Sequence, residues 1–140
     1  MNVGDALPRG DRGKGSLNDY RYDMVAKNGR VRMVLEDSDP YQDELRTIVE
    51  TSGSRAETAV SPRTREDEAV DAPIEMRLFT GRRVSGPVGR IPRGLESVFE
   101  ENLRLLDDRT GVNRMPVEIV RKAGSYRVAI LLGEVRDRLR

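Results

Sequence analysis

Apolar and polar positions along the chain fall into short blocks that predict strands, interrupted twice by helical spacing. Tyr20–Lys27 and Val31–Leu35 flank Asn28-Gly29, a pair that accepts positive φ at both centres of a type I′ turn, so a β-hairpin is expected there. Tyr41, Leu45, Ile48 and Val49 then recur at helical spacing. Asp39, Pro40 and Gln42 resemble a capping box with proline at the first helical position, and the helix should run about 11 residues to Ser52-Gly53.

Residues 55–61 and 73–80 read as strands on either side of a charged loop, Pro62 to Asp71, and Val84–Ile91 as an extended stretch punctuated by glycine and proline. Leu95, Val98, Phe99, Leu103 and Leu106 mark a second amphipathic helix, closed by Gly111. Pro116–Lys122 and Tyr126–Leu132 read as two strands joined by Ala-Gly-Ser. Residues 1–18 carry four glycines and scattered charges without periodicity; they read as a mobile leader outside the fold, leaving 19–140 as one domain. About six or seven strands with two inserted helices and short turns predict a mainly β, α+β chain. It should form a small OB-like antiparallel barrel or strongly curved sheet with helices plugging an end.

Composition changes the picture by subtraction. In 140 residues there is no cysteine, no histidine and no tryptophan, which removes thiolate and imidazole catalysis and the commonest zinc ligands. Charged residues reach 35%, so a small core sits under a densely charged surface, with Phe79 and Val84 assigned to that core. No apolar run approaches the ~18 residues of a membrane span and no signal sequence opens the chain, so a cytoplasmic location without membrane contact is expected. Two acidic groups, Glu36, Asp37, Asp39, Asp43 and Glu66, Asp67, Glu68, Asp71, lack the spacing of a calcium loop. Gly81-Arg-Arg-Val-Ser-Gly86 lacks the Gly-Lys-Ser/Thr ending of a phosphate loop. No catalytic residue, metal site, nucleotide site or cofactor is assigned.

A net charge of +1 conceals a segregation. From Met76 to Gly94 there are five arginines, Arg77, Arg82, Arg83, Arg90 and Arg93, and no acid, whereas Glu36–Glu50 holds six acids against Arg46. Arginine suits bidentate phosphate contact and stacking on bases, so the basic stretch points to polyanion binding. Tyr20, Tyr22 and Tyr126 offer further aromatic surface, and Tyr41 a ring at the first helix start. The opposing reading is that runs of one sign pair with opposite runs on neighbouring elements.

The order of these pieces over residues 31–132 resembles the HIRAN domain, a module of fork-remodelling helicases that also stands alone in bacteria and phages. The segments that carry the likeness are Val34-Leu-Glu-Asp-Ser-Asp-Pro-Tyr-Gln-Asp-Glu-Leu45, Val60-Ser-Pro-Arg-Thr-Arg-Glu-Asp-Glu-Ala-Val70, Val88-Gly-Arg-Ile-Pro-Arg93 and the two closing strands. The resemblance implies an OB-like barrel binding single-stranded DNA ends. It departs from that pattern where Arg63 and Arg65 replace a loop asparagine and aromatic, and where Arg90 replaces an aromatic. Together these readings predict a non-enzymatic module for single-stranded DNA, with Arg63, Arg65, Arg77, Arg82, Arg83, Arg90 and Arg93 on phosphates and Tyr41 stacking on a base, served by a helicase or nuclease partner. The alternatives are a protein–protein adaptor or phage accessory domain that lost the DNA pocket, and a metal-dependent nuclease built on the acidic groups.

Overall fold

The computed structural model describes residues 7–60 and 63–140. Its strands are β1 (Met33–Val34), β2 (Arg55–Thr58), β3 (Glu75–Phe79), β4 (Val84–Arg90), β5 (Pro116–Lys122) and β6 (Ser125–Ile130). Four α-helices accompany them, α1 (Gln42–Ser52), α2 (Arg65–Ala69), α3 (Glu96–Thr110) and α4 (Leu132–Arg138), where two were expected. All strand pairs are antiparallel in one sheet of order β1-β6-β5-β2-β3-β4, curled into a half-barrel. Its two edges meet at one bridge, where Glu36 and Arg90 exchange backbone hydrogen bonds of 3.0 and 2.9 Å.

Alternation explains the strands. Met76 and Leu78 point into the core while Glu75 and Arg77 point outward, and Val117, Ile119, Val128 and Ile130 do the same for β5 and β6. Between them, Ala123 and Gly124 at φ 52° and 82° make a two-residue turn, one residue tighter than the expected Ala-Gly-Ser loop. Buried Val98, Phe99, Leu103 and Leu106 hold α3 against the sheet, and Gly111 at φ 73° ends it. Asn102, fully buried among them, donates to the Met24 carbonyl at 2.8 Å and so ties residues 20–26 to α3. Leu132 and Val135 bury the face of α4, a helix too short for its spacing to stand out in the sequence.

The expected hairpin at Asn28-Gly29 does not form. Tyr20 bridges Ala26 within its own loop, while β1 pairs with β6 instead. The turn itself survives, with the Arg30 N–H on Asn28 Oδ1 at 2.9 Å, but it serves to pack against α4: a Cβ on Gly133 would stand 2.2 Å from the Gly29 carbonyl oxygen. Pairing with Ala129-Ile130 instead places Met33 beside Ile130, both fully buried in the core. The capping box at Asp39 is likewise replaced. A 3-10 turn, Asp39–Tyr41, leads into α1 with no side-chain cap. Gln42 turns to β6, accepting the Tyr126 N–H at 2.7 Å and donating to its carbonyl at 3.0 Å. The strand expected over 55–61 ends at Thr58, with Ser61 outside the described residues, and that expected over 126–132 ends at Ile130.

Residues 7–18 belong to the packed body, which corrects the reading of a leader outside the fold; residues 1–6 lie outside the described residues. Lys14 exchanges backbone hydrogen bonds of 3.0 and 2.9 Å with Val34, and Asp11 is 1% exposed. Its carboxylate accepts the N–H of Ser38 at 2.7 Å, the N–H of Asp39 at 3.0 Å and Arg127 Nη1 at 2.9 Å. Gly89, at φ 148°, lets β4 approach this knot, since a Cβ there would stand 2.7 Å from Ser38 Oγ. Ser38 Oγ in turn donates to the Val88 carbonyl at 2.8 Å.

Asp11→Ala leaves one buried and one part-buried N–H group and part of a half-buried guanidinium without an acceptor, so it should cost about 3 kcal/mol of stability. Urea unfolding would show this as a lower midpoint at unchanged slope, and a midpoint equal to the parent would refute the role given to Asp11.

Candidate nucleic-acid interface

The structure divides the eight residues singled out from the sequence. Arg63, Arg90 and Arg93 are taken by carboxylates. Arg90 Nε lies 2.7 Å from Glu36 Oε1, the two side chains 16% and 6% exposed, with Asp37 at 3.9 Å. Arg63 Nε lies 3.0 Å from Glu100 Oε1, and its Nη1 3.3 Å from Asp71. Burial disfavours the Arg63 charge, but the Glu100 carboxylate, aided by Asp71 and Glu96, outweighs this and holds the guanidinium above its ordinary range. Arg93 meets Asp71 at 2.7 Å and Glu96 at 2.9 Å.

Arg63 and Arg93 thus converge, but onto Asp71, Glu96 and Glu100, three acids for two bases. The network staples the loop carrying α2 to α3 rather than opening a phosphate track. The loop forms α2 because Thr64 and Asp67 make a reciprocal capping box. The acidic groups are dispersed in the same way: Asp39 pairs with Arg127 at 2.7 Å, Glu36 with Arg90 and Asp43 with Arg46. No three such side chains gather at metal-binding distance among the described residues.

The remaining arginines are exposed. Arg82 and Arg83 sit at the tip of the β3–β4 hairpin and Arg65 opens α2; none of the three makes an ion pair among the described residues. Arg77 projects from the outer face of β3 with only Glu75 near, at 3.8 Å. Tyr41 is half-buried in the 3-10 turn before α1. Tyr20 is core, its hydroxyl pushed well above the ordinary range by burial and, secondarily, by Asp19, whereas Tyr22 is 99% exposed.

Phe79 and Val84, expected in the core, face outward as a cross-strand pair because Met76 and Leu78 already fill the inner face of β3. The Arg114 guanidinium carbon lies 3.7 Å from the centroid of the Phe79 ring. A shallow depression of about 220 Å³ runs past Val60, Phe79, Val84, Asn113 and Arg114, with no carboxylate in its lining. Nothing local in Asn113-Arg-Met115 signals this role for Arg114; it arises because the segment after α3 returns beside β2, where the Thr58 N–H donates to the Met115 carbonyl at 3.0 Å.

Comparison with protein-family models, with curated proteins and with solved structures finds no match for this chain. No helix among the described residues is long and apolar enough to cross a membrane.

The pairing makes separate stability predictions for the two classes of arginine. Arg63→Ala should lower stability by about 2 kcal/mol, since it strands Glu100 in a half-buried site, whereas Arg82→Ala should change it by no more than about 0.5 kcal/mol. Thermal or denaturant unfolding of the two variants measures the contrast, and equal effects would contradict the assignment.

Proposed function

We propose that the chain is a non-enzymatic module of OB-like character that binds single-stranded nucleic acid, DNA in preference, on the outer face of the β3–β4 hairpin. The observation that carries the reading is the Arg114–Phe79 stack, bordered by the unpaired Arg82 and Arg83 and by the exposed Val84. A nucleobase can stack at this guanidinium–aromatic pair without regard to sequence, while the hairpin-tip arginines attract the flanking phosphates. Arg77 adds a further charge on the same face, and Arg65 and Tyr41 extend the site if the strand continues past the hairpin. Arg63, Arg90 and Arg93 act by holding the scaffold. The resemblance to the HIRAN domain supports the OB-like and single-strand parts of this reading, and a helicase or nuclease would supply the chemistry in the cytoplasm.

A protein–protein adaptor is the second reading. Three of the seven candidate arginines being spent on internal carboxylates favours it, as does the exposure of Val84 and Val112 near Arg114.

Titration of a labelled oligothymidylate at two salt concentrations separates the readings. Arg82→Ala with Arg83→Ala should weaken binding and reduce the salt slope by about 1.4, two phosphate contacts of a single strand. Arg114→Ala should cost about 1–3 kcal/mol with the slope little changed, as expected for loss of one stacked base. Parent-like affinity and slope in both variants would remove the nucleic-acid site and leave the adaptor.

A further inference from the structure

A second cationic site lies away from the hairpin, where the N-terminal segment crosses the outer face of β5 and β6. The cleft between them has a volume of about 420 Å³, within the range of small-ligand sites. Val34 and Val120 form an apolar floor; Arg9, Lys14 and Lys122 stand around it, and no carboxylate lines it. Arg127 also borders the cleft, but its charge is already met by Asp11 and Asp39 at 2.9 and 2.7 Å.

Three exposed cations without an ion pair among the described residues border one cleft. The backbone holds two of them there. Lys14 is fixed by its paired hydrogen bonds to Val34, and Lys122 by its place at the end of β5 opposite Ser125. Both line the same cleft, and the nearby Lys14 ammonium holds Lys122 below the ordinary lysine range. Two like charges held together with no acid nearby form a site whose electrostatic cost a bound anion removes.

We propose that this cleft binds a small di- or polyphosphate ligand of nucleotide size, its phosphates between Lys14, Lys122 and Arg9 and its organic part against Val34 and Val120. Diphosphate matches the geometry because it places several anionic oxygens within one short span, where two ammonium groups and a guanidinium can share them. The site is separate from the Arg114–Phe79 surface and does not depend on nucleic-acid binding there.

The test is calorimetric titration of the full chain at low salt with inorganic pyrophosphate and with a nucleoside diphosphate. Lys14→Gln with Lys122→Gln should weaken both by about tenfold or more, while the double arginine variant Arg82→Ala, Arg83→Ala binds as the parent does. Tighter binding of the nucleoside diphosphate than of pyrophosphate would add the apolar floor to the recognition, and equal binding would confine it to the phosphates; both support the site. In methyl-lysine NMR spectra the Lys122 signal should titrate at higher pH once pyrophosphate is bound. No binding of either probe to the folded parent overturns the proposal, as does equal binding by the lysine variant, or equal loss in the arginine variant. A lysine-dependent affinity seen only for 5′-phosphorylated oligonucleotide, without pyrophosphate binding, also overturns it and assigns the cleft to a strand end.

Discussion

The buried carboxylate of Asp11 is the constraint on which the geometry of this molecule rests. Removing a carboxylate from water is costly unless it is paired and hydrogen-bonded, and here two consecutive backbone N–H groups and a guanidinium meet it. Three parts of the chain far apart in sequence, the N-terminal segment, the turn before α1 and β6, are thereby fixed at one point. The Gln42 amide repeats the connection one turn later by gripping both backbone groups of Tyr126. With α1 held at that angle, Leu45 and Ile48 reach the core, and Glu44 reaches the Gly86 N–H at 3.1 Å.

Local chemistry in the sequence was legible wherever one element decided its own shape. The spacing of Leu45 and Ile48, the αL position of Gly111 and the alternation in β5 and β6 gave α1, α3 and the closing hairpin nearly to their ends. Legibility failed where a distant partner decided. Asn28-Gly29 carries the composition of a hairpin turn, yet Gly133 packs on it and β1 belongs to β6. Residues 7–18 look like a tail because their apolar content is low; what anchors them is the Asp11 carboxylate, whose partners lie 27 to 116 residues away, together with the Lys14–Val34 bridge. The short helices α2 and α4 were too brief for periodicity to register.

The same distinction governs the charges. A run of arginines without acids reads as a positive surface in one dimension, but a chain in which about a third of residues are ionised finds partners for many of them in three. Arg90 meets Glu36 because the half-barrel closes there, and Arg93 meets Asp71 and Glu96 because the loop before β3 folds over the start of α3. Cations left over include those at the β3–β4 tip and around the cleft beside β5. Their availability is a property of the topology, and Arg114, Lys14 and Lys122 could be found only by folding the chain.

Hydrogen bonds already occupy much of the outer side of β4. Gly86 gives its N–H to Glu44, Val88 its carbonyl to Ser38, and Arg90 both groups to Glu36, while Pro87 has no N–H to offer. On the opposite flank Val34 is engaged by Lys14. Among the described residues the curled sheet therefore presents little free backbone template for an incoming strand, which guards it against edge-to-edge aggregation. Any partner, whether polynucleotide or polypeptide, is read through side chains rather than by extending the ladder.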